Sequence, residues 1–377
     1  MINVLYITSE KGKPLGSAHS LANMIQSLAE FVEPIVIVRD DKAKPFFESK
    51  GIKTIAVKYP IDITDKKGLS KVINFFPRLC RDIISYTTAI IKLRSISRKY
   101  KIDIIHSNNS IVTIGHYLSI VERKPHVWHI REFIDLDFHW SPFLGWNRLK
   151  RSIKKSEAII CVSAALKKHF NLVDSLNAYQ LYNAVRSKNE CSYIKDKDNY
   201  FLMCGNISSA KGADIAIKSF ALFNKTYPGY RLKLVGTINY EYKEILKSLA
   251  SELKILDLID FEGYQENTKT YYEKAVGFLM CSKHEAMGRV TVEAMFYGCP
   301  VIGFNGGGTA EIIQDGKTGY LFNTIEECAF LMGKVITSNQ EPIIKNALKE
   351  AEDSFSIESY GEKILDVYQS LLKKFSS

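Results

Sequence analysis

The sequence lacks paired cysteines and long hydrophobic runs. Its seven cysteines lie far apart, and none forms a C-x-x-C pair that would hold zinc or exchange disulfides. No stretch approaches the roughly 18 uncharged apolar residues that span a bilayer, and the N-terminus has no basic signal-peptide region. These absences argue against a disulfide scaffold and an integral membrane protein, and we expect a cytosolic protein with small, buried cysteines.

The composition is that of a folded protein, with 46% hydrophobic and 24% charged residues, and 377 residues suit two domains. The net charge of +10 is unevenly distributed. Residues 1–185 carry 28 Lys and Arg against 16 Asp and Glu, a charge of +12, which leaves −2 for the rest. The basic character therefore belongs to the N-terminal half.

Residues 66–101 concentrate this charge, with ten basic side chains and a single acid, Asp82. Apolar residues are interleaved with them, which predicts an amphipathic helical hairpin lying on an anionic membrane. The alternative is a solvated helix that packs its apolar stripe on its own domain. Nucleic acid is not an expected partner, because no helix-turn-helix, RNP-like or zinc-finger pattern accompanies the charge.

Short Val- and Ile-rich runs alternate with longer amphipathic stretches along the chain, the rhythm of βαβ units. This predicts an α/β protein of two doubly wound, Rossmann-like domains. The expected boundaries are 1–186 for the first domain, 187–199 for a linker, 200–355 for the second domain and 356–377 for a terminal helix. Ligands bind at the carboxyl ends of parallel strands, so the interdomain cleft is the expected site.

Chemistry-bearing residues concentrate between Cys281 and Gly319. Glu285 precedes a helix predicted to begin near Gly288, and Glu293 falls within that helix. Its N-terminus would suit a phosphate, and the two carboxylates could accept hydrogen bonds from sugar hydroxyls. A second glycine loop around Gly307 precedes another helical run and predicts a second phosphate cradle. The alternative for two glutamates eight residues apart is a solvated helix face.

A third element, Gly205 to Gly212, follows a strand and precedes a helix. Its small residues would let the backbone approach a ligand, and Lys211 could supply a charge to a diphosphate. On its own this signal is weak, because a lysine near a turn is usually solvated.

Together these residues resemble the retaining nucleotide-sugar glycosyltransferases of family 4, which have the GT-B fold of two Rossmann-like domains facing across a cleft. The resemblance is most specific in the spaced pair Glu285 and Glu293 with the glycines that follow. It implies that Glu285 contacts the donor sugar, Glu293 holds the ribose hydroxyls and Lys211 meets the diphosphate. It also implies that the first domain binds the acceptor and that the C-terminal helix returns to the first domain. The full set of implied donor-binding residues is Gly16, Gly205, Asn206, Lys211, Gly263, Glu285, Gly288, Arg289, Val290, Glu293 and Gly307.

Three positions depart from the family pattern. Asn206 stands where the turn usually carries Arg, and Arg289 beside Gly288 is the candidate replacement. The double-glycine loop after the first strand is reduced to Gly16, Ser17 and Ala18. The usual His-Asp appears as Arg131 and Glu132, with His129 two residues earlier, so either His129 or Arg131 is the candidate for contact with the sugar. A core or capping role is the alternative for His129.

The resemblance implies a metal-independent hexosyltransferase without a cofactor, with catalytic candidates Glu285, Lys211, Arg289, His129 and Arg131. The donor would be a nucleoside diphosphate sugar, UDP favoured over GDP. The acceptor would be a glycan or lipid-linked glycan in surface polysaccharide synthesis, reached at the inner face of the cell membrane. Asp135-Leu136-Asp137 has the letters of a metal-binding D-x-D but lies in the wrong domain. The alternatives are a nucleotide-sugar-binding protein without transferase activity and a GT-B-fold epimerase.

Overall fold

The computed structural model describes residues 1–12, 16–64 and 75–376 of the chain. The chain divides into two compact units. The first comprises Met1–Ala184 together with the chain from Tyr360 onward, and the second comprises Val185–Ser359. The first unit is therefore assembled from two separate stretches of sequence.

In the first unit the described residues form a parallel sheet of seven strands in the order β3-β2-β1-β4-β5-β6-β7. The strands are β1 (Ile2–Thr8), β2 (Val32–Val38), β3 (Lys53–Ala56), β4 (Ile104–Asn108), β5 (His126–Ile130), β6 (Ala158–Cys161) and β7 (Ala178–Gln180). The helices are α1 (Gly16–Ser27), α2 (Lys44–Glu48), α3 (Phe75–Lys99), α4 (Ile114–Glu122), α5 (Asp135–Phe138), α6 (Trp146–Lys154) and α7 (Ala164–His169).

The second unit contains a parallel sheet of six strands in the order β10-β9-β8-β11-β12-β13. Its strands are β8 (Asp198–Cys204), β9 (Arg231–Val235), β10 (Ile259–Gly263), β11 (Ala275–Met280), β12 (Val301–Phe304) and β13 (Tyr320–Phe322). Its helices are α8 (Ala213–Thr226), α9 (Tyr240–Glu252), α10 (Lys269–Lys274), α11 (Arg289–Phe296), α12 (Thr309–Ile312), α13 (Ile325–Thr337) and α14 (Glu341–Phe355), and α15 (Ile357–Ser376) follows.

The predicted fold class of two Rossmann-like domains is confirmed. Strands of parallel sheets are covered on both faces and therefore read as apolar runs rather than as alternating patterns. In β1, for example, all residues from Val4 to Thr8 are buried. This is why Val- and Ile-rich runs identify the strands.

The strand order of each sheet reverses at one point, between β1 and β4 in the first unit and between β8 and β11 in the second. At such a switch point the connections from neighbouring strands leave in opposite directions, which opens a crevice at their carboxyl ends. The loops that follow β8 and β11 are therefore the expected ligand site of the second unit.

The predicted helical hairpin over residues 66–101 is wrong for the residues that the structure describes. Residues 75–99 form one continuous helix, α3, because no turn-forming residue interrupts them after Pro77, which lies in the first turn. Lys66, Lys67 and Lys71 lie outside the described residues. Within the described ranges, no helix combines the length and apolar character needed to cross a bilayer.

Residues 187–199, predicted as a linker, lie within the second unit. Ser187 and Glu190 form a capping box at a short 3-10 helix, and Lys197 donates to the carbonyls of Glu273 and Gly298. At the C-terminus, α15 begins in the second unit and belongs to the first from Tyr360 onward. In the first unit it packs closely, since a Cβ at Gly361 would lie 2.6 Å from the carbonyl oxygen of Ser27.

Candidate functional site

The loops after β8 and β11 meet closely at Gly212. This residue has φ +72°, and a Cβ there would lie 2.4 Å from the carbonyl oxygen of Cys281. Glycine therefore meets two demands at once, a left-handed backbone and a backbone contact that a side chain would block. As a result Lys211, at the end of the 3-10 turn after β8, lies beside the loop after β11.

Lys211 and Glu285 form an ion pair at the switch point. Lys211 Nζ donates to Glu285 Oε2 at 2.6 Å, and the side chains are 35% and 15% exposed. A pair this open is partly screened by solvent, so its net contribution to stability is about 1 kcal/mol or less. Its importance is that it places a cation and a carboxylate side by side in a solvent-accessible crevice.

The glycine loop before α12 supports the backbone of Glu285. A Cβ at Gly307 would lie 2.5 Å from the carbonyl oxygen of Glu285, and one at Gly308 would lie 2.5 Å from that of Ala286. The N–H of Gly308 donates to the carbonyl of Glu285 at 2.7 Å. The helix that follows this loop, α12, has four residues, and the second phosphate cradle stays a prediction. These glycines let two loops pack together and hold Glu285 in place.

Helix α11 presents Arg289 and Glu293 on one face, because they are four residues apart. Gly288 caps this helix with φ +85°, as the sequence predicts. Arg289 Nη2 lies 3.9 Å from Glu293 Oε1, so the candidate cation and the candidate ribose-binding carboxylate are neighbours. A Cβ at Gly288 would lie 3.3 Å from Glu285 Cγ, which places the start of α11 next to the other glutamate.

Two residues at this site were missed by sequence reasoning. Arg186 Nη2 lies 3.5 Å from Glu293 Oε1, and the hydroxyl of Tyr272 donates to Glu293 Oε2 at 3.3 Å. Burial lowers the pKa of Arg186, but the negative charge of Glu293, with smaller effects from Tyr297, Glu190 and Tyr272, outweighs burial and leaves the pKa raised. Neither residue belongs to a motif, because each meets Glu293 only through the fold of the sheet, and no local pattern signals such contacts.

Of the remaining donor-site candidates of the second unit, Gly205, Asn206 and Gly263 lie at the ends of β8 and β10, and Val290 lies in α11. Gly205 faces Val290, whose Cγ1 would be 3.7 Å from a Cβ at that position. Asn206 is exposed, and its Oδ1 accepts a hydrogen bond from the Thr237 hydroxyl at 3.2 Å. The carbonyl of Gly263 accepts from the N–H of Gly236 at 2.7 Å. The carboxyl ends of these strands therefore form a continuous edge beside Lys211.

His129 is fully buried in the first unit, which corrects the expectation that it could reach a sugar. Its Nδ1 lies 3.2 Å from His106 Nε2, and its Nε2 lies 3.4 Å from the hydroxyl of Tyr360 in α15. His106 Nδ1 in turn lies 2.7 Å from the hydroxyl of Tyr368. Burial, with the charge of Arg131 and with His106, lowers the pKa of His129 well below its ordinary value. His129 is thus a neutral core histidine that links the sheet to α15.

Arg131 and Glu132 are also buried, 8% and 7% exposed, at the carboxyl end of β5. Arg131 Nε donates to Asn108 Oδ1 at 2.7 Å, and its Nη1 donates to Asn183 Oδ1. Glu132 accepts from the N–H of Ser110 at 2.9 Å and from its hydroxyl. Burial raises the pKa of Glu132 to about 7, against the opposing effect of the Ser110 hydrogen bonds. Both side chains therefore tie the loops after β4 and β5 together.

Gly16 lies in the first unit, at the start of α1, and is exposed. A Cβ there would meet nothing within 4 Å, so this glycine is not required by packing among the described residues. The neighbouring Ser17 hydroxyl donates to Glu10 Oε1 at 2.5 Å, which joins the end of β1 to α1.

The site in the second unit combines chemical groups that suit a nucleotide sugar. Lys211, Arg289 and the N-terminus of α11 favour a phosphate group, while two carboxylates can accept hydroxyl hydrogen bonds. Among the described residues, no three His, Cys, Asp or Glu side chains cluster as metal ligands would.

Comparison with known proteins matches each unit to a glycosyltransferase family model. The family model "Glycosyltransferase Family 4" matches residues 15–185, and the model "Glycosyl transferases group 1" matches residues 185–350. A glycosyltransferase of Haemophilus influenzae without an assigned substrate is 26% identical, over 96% of this chain and 97% of its own. The alpha-monoglucosyldiacylglycerol synthase of Acholeplasma laidlawii is 23% identical, over 98% and 97%. The crystal structure of Anabaena HepE in complex with UDP matches with a TM-score of 0.82 at 19% identity, covering 98% of this chain and all of that one.

Proposed function

The chain belongs to the group 1 and family 4 glycosyltransferases. From this we propose that it moves a sugar from UDP to a hydroxyl of a glycan or lipid-linked glycan, with retention of anomeric configuration. The observation that carries the proposal is the gathering of Lys211, Glu285, Arg289 and Glu293 at the switch point of the second sheet. The family is one of transferases, which argues against the binding-protein and epimerase alternatives.

We propose for the second unit the donor-site roles that the family resemblance implies, and its geometry supports them. Glu293 receives a hydrogen bond from the Tyr272 hydroxyl and faces two guanidinium groups, and its carboxylate would accept hydrogen bonds from the ribose hydroxyls. Lys211, which pairs with Glu285, and Arg289, the first residue of α11, would bind the diphosphate. Glu285 shares its loop with that helix start and pairs with Lys211, so a sugar bonded to Glu285 would lie next to the diphosphate.

The chemistry follows from charge development on the leaving group. As the bond between sugar and diphosphate lengthens, negative charge accumulates on the phosphate oxygens, and preorganised cations and amide dipoles stabilise it. Lys211, Arg289 and the start of α11 would supply this stabilisation without a metal ion. Retention would follow from attack on the face that the diphosphate leaves, with a phosphate oxygen taking the proton of the acceptor hydroxyl. The remaining contribution of the protein is orientation of donor and acceptor.

The relatives support the finer assignments of donor and acceptor. The Anabaena structure holds UDP, which favours UDP over GDP as the leaving nucleotide here. The Acholeplasma enzyme is named for a glycolipid product, which favours a lipid-linked acceptor and a location at a membrane surface. The +12 charge of residues 1–185 suits an anionic carrier such as a polyprenyl diphosphate.

A thermal-stability screen of nucleotide sugars tests the donor assignment. A ligand at 100 times its dissociation constant adds about 2.7 kcal/mol to the stability of the folded state. We expect UDP and one or a few UDP-sugars to raise the melting temperature, with Glu293→Ala abolishing most of the shift. A shift with GDP-sugars alone would overturn the choice of base. Product stereochemistry, read from the anomeric proton by NMR, tests retention, and an inverted product would refute it.

A further inference from the structure

Helix α3 has an inner face that packs within the first unit and an outer face that does not. Ala89, Leu93 and Ile96 are buried on the inner side. The single acid of the helix, Asp82, is also buried, and Arg78 Nε donates to its carboxylate at 3.1 Å. The alternative expected from sequence, in which the helix packs its apolar stripe on its own domain, therefore accounts for only some of the apolar residues of α3.

Four other apolar residues of α3 point to solvent, while Phe75, Leu79 and Ile90 are half-buried. Phe76, Ile83, Ile84 and Ile91 are 72%, 56%, 66% and 64% exposed. At 100° per residue these four side chains fall within an arc of about 100° along one side of the helix. The exposed Cys80 lies within the same arc. A continuous stripe of this kind marks an interaction surface, unlike scattered exposed apolar residues.

Cations border this stripe on one side. Arg81, Lys92 and Lys99 are exposed and fall on the neighbouring arc of the helix. Towards the C-terminal end, Arg94 and Arg98 reach Glu122 of α4 at 2.8 and 3.6 Å. The only acid of α3, Asp82, is buried, although Arg81 Nη2 reaches its Oδ1 at 3.4 Å, and Lys92 Nζ donates to the carbonyl of Ala56 at 3.1 Å. The outer side of α3 therefore presents apolar, hydroxyl and basic groups without an exposed carboxylate.

We propose that this outer face, defined as Phe76, Ile83, Ile84 and Ile91 with Arg81, Lys92 and Lys99, docks on an anionic lipid bilayer. The helix would lie parallel to the surface, with the apolar residues in the boundary between headgroups and acyl chains and the cations among the phosphates. A second copy of this chain is a poorer occupant, because two such faces would bring their cations together. The consequence that a lipid-linked acceptor is reached from this surface rests on the proposed function.

Vesicle flotation of the full chain tests the docking directly. At low ionic strength the protein should float with vesicles of phosphatidylglycerol and phosphatidylcholine and remain in solution with phosphatidylcholine alone. High salt should weaken the binding, because the Debye length falls from about 10 Å at 0.1 M to about 3 Å at 1 M. Each cation near an anionic surface contributes a factor of about five in affinity, so changing Arg81, Lys92 and Lys99 to Gln should weaken binding on the order of 100-fold.

A matched control changes three exposed lysines of the second unit, Lys225, Lys317 and Lys349, to Gln. It alters the net charge by the same amount and should float like the wild-type protein. If both triple variants lose binding equally, net charge rather than the outer face of α3 carries the interaction, and the proposal is overturned. Melting temperatures close to the wild-type value show that the variants remain folded.

The thiol of Cys80 offers a local reporter, because the other six cysteines are buried or half-buried. Anionic vesicles should slow its modification by a membrane-impermeant maleimide several-fold, while neutral vesicles should not. Unchanged Cys80 reactivity on floated protein would show that another surface binds the vesicle. If light scattering shows a dimer that Ile84→Gln with Ile91→Gln dissolves, the face is a self-association surface instead.

Donor binding separates this inference from the proposed function. UDP affinity, measured by calorimetry, depends on the second unit and should be the same in the wild-type protein and the α3 variants. A protein that binds UDP but ignores anionic vesicles overturns the docking face and leaves the proposed donor chemistry standing. A protein that docks on vesicles but binds no nucleotide overturns the donor chemistry and leaves the docking face standing.

Discussion

The ion pair between Lys211 and Glu285 makes a sharp prediction about nucleotide affinity. We consider three variants, Lys211→Met, Glu285→Gln and the double variant. In the unliganded protein the lysine donates to the carboxylate at 2.6 Å. A bound diphosphate must therefore share Lys211 with Glu285, and without Lys211 it would face an uncompensated carboxylate.

The expected magnitudes follow from the exposure of the pair. Loss of a hydrogen bond to a charged group costs about 1.5 to 3 kcal/mol, so Lys211→Met should weaken UDP binding about 10- to 100-fold. Lys211 is 35% exposed, so the repulsion left by unpaired Glu285 is screened to about 1 kcal/mol. The double variant should therefore bind UDP about fivefold more tightly than Lys211→Met. Glu285→Gln alone should leave UDP affinity unchanged or slightly improved, because Lys211 is then fully available.

Isothermal titration calorimetry measures the UDP affinity of the wild-type protein and of the three variants, which together form a double-mutant cycle. Transfer from a UDP-sugar should fall in every variant that lacks Glu285, because its assigned partner is the sugar. The reasoning fails if the double variant binds UDP no better than Lys211→Met, since the two residues would then act independently. It also fails if Glu285→Gln weakens UDP as much as it weakens a UDP-sugar.

Three further predictions concern other parts of the molecule. Arg289→Ala should weaken UDP binding about 10-fold or more, and adding Asn206→Arg should restore part of it; a calorimetric cycle that is strictly additive would refute the replacement of one cation by the other. Gly307→Ala should lower turnover and the melting temperature, because its φ is +55° and the new Cβ would lie 2.5 Å from the carbonyl oxygen of Glu285; wild-type values for both would show that the loop adapts. The pKa of Glu132 is raised to about 7 in the folded protein, above its unfolded value of about 4.5. The free energy of unfolding of the wild-type protein should therefore fall by up to about 3 kcal/mol relative to that of Glu132→Gln as pH rises from 4.5 to 7. Equal pH profiles of unfolding for the two proteins would contradict this.

The strands and the donor loops could be read from the sequence because their signals are local. Apolar runs such as residues 158–161, which form β6, identify strands that are covered on both faces. The helix start at Gly288 was predicted from a glycine followed by an apolar period, and α11 begins at Arg289. Such features need no knowledge of what the chain packs against.

Other features depend on contacts between distant parts of the chain and were missed. Arg186 and Tyr272 support Glu293 from other elements of the second unit, and neither has a distinctive neighbourhood in sequence. His129 is a candidate for substrate contact because it lies two residues before the position of the family's His-Asp, but Tyr360 and His106 enclose it. The length of a helix is equally hard to predict, as the four residues of α12 after the Gly307 loop illustrate.

The divided sequence of the first unit has a consequence for how the protein is made. During translation, residues 1–184 leave the ribosome without the helix that completes their core, and all of the second unit is synthesised before Tyr360 and Tyr368 appear. Until then, His106 and His129 have no hydroxyl partners from α15. The first unit is thus begun first and finished last, so a chain whose synthesis stops within the second unit has an incomplete N-terminal core.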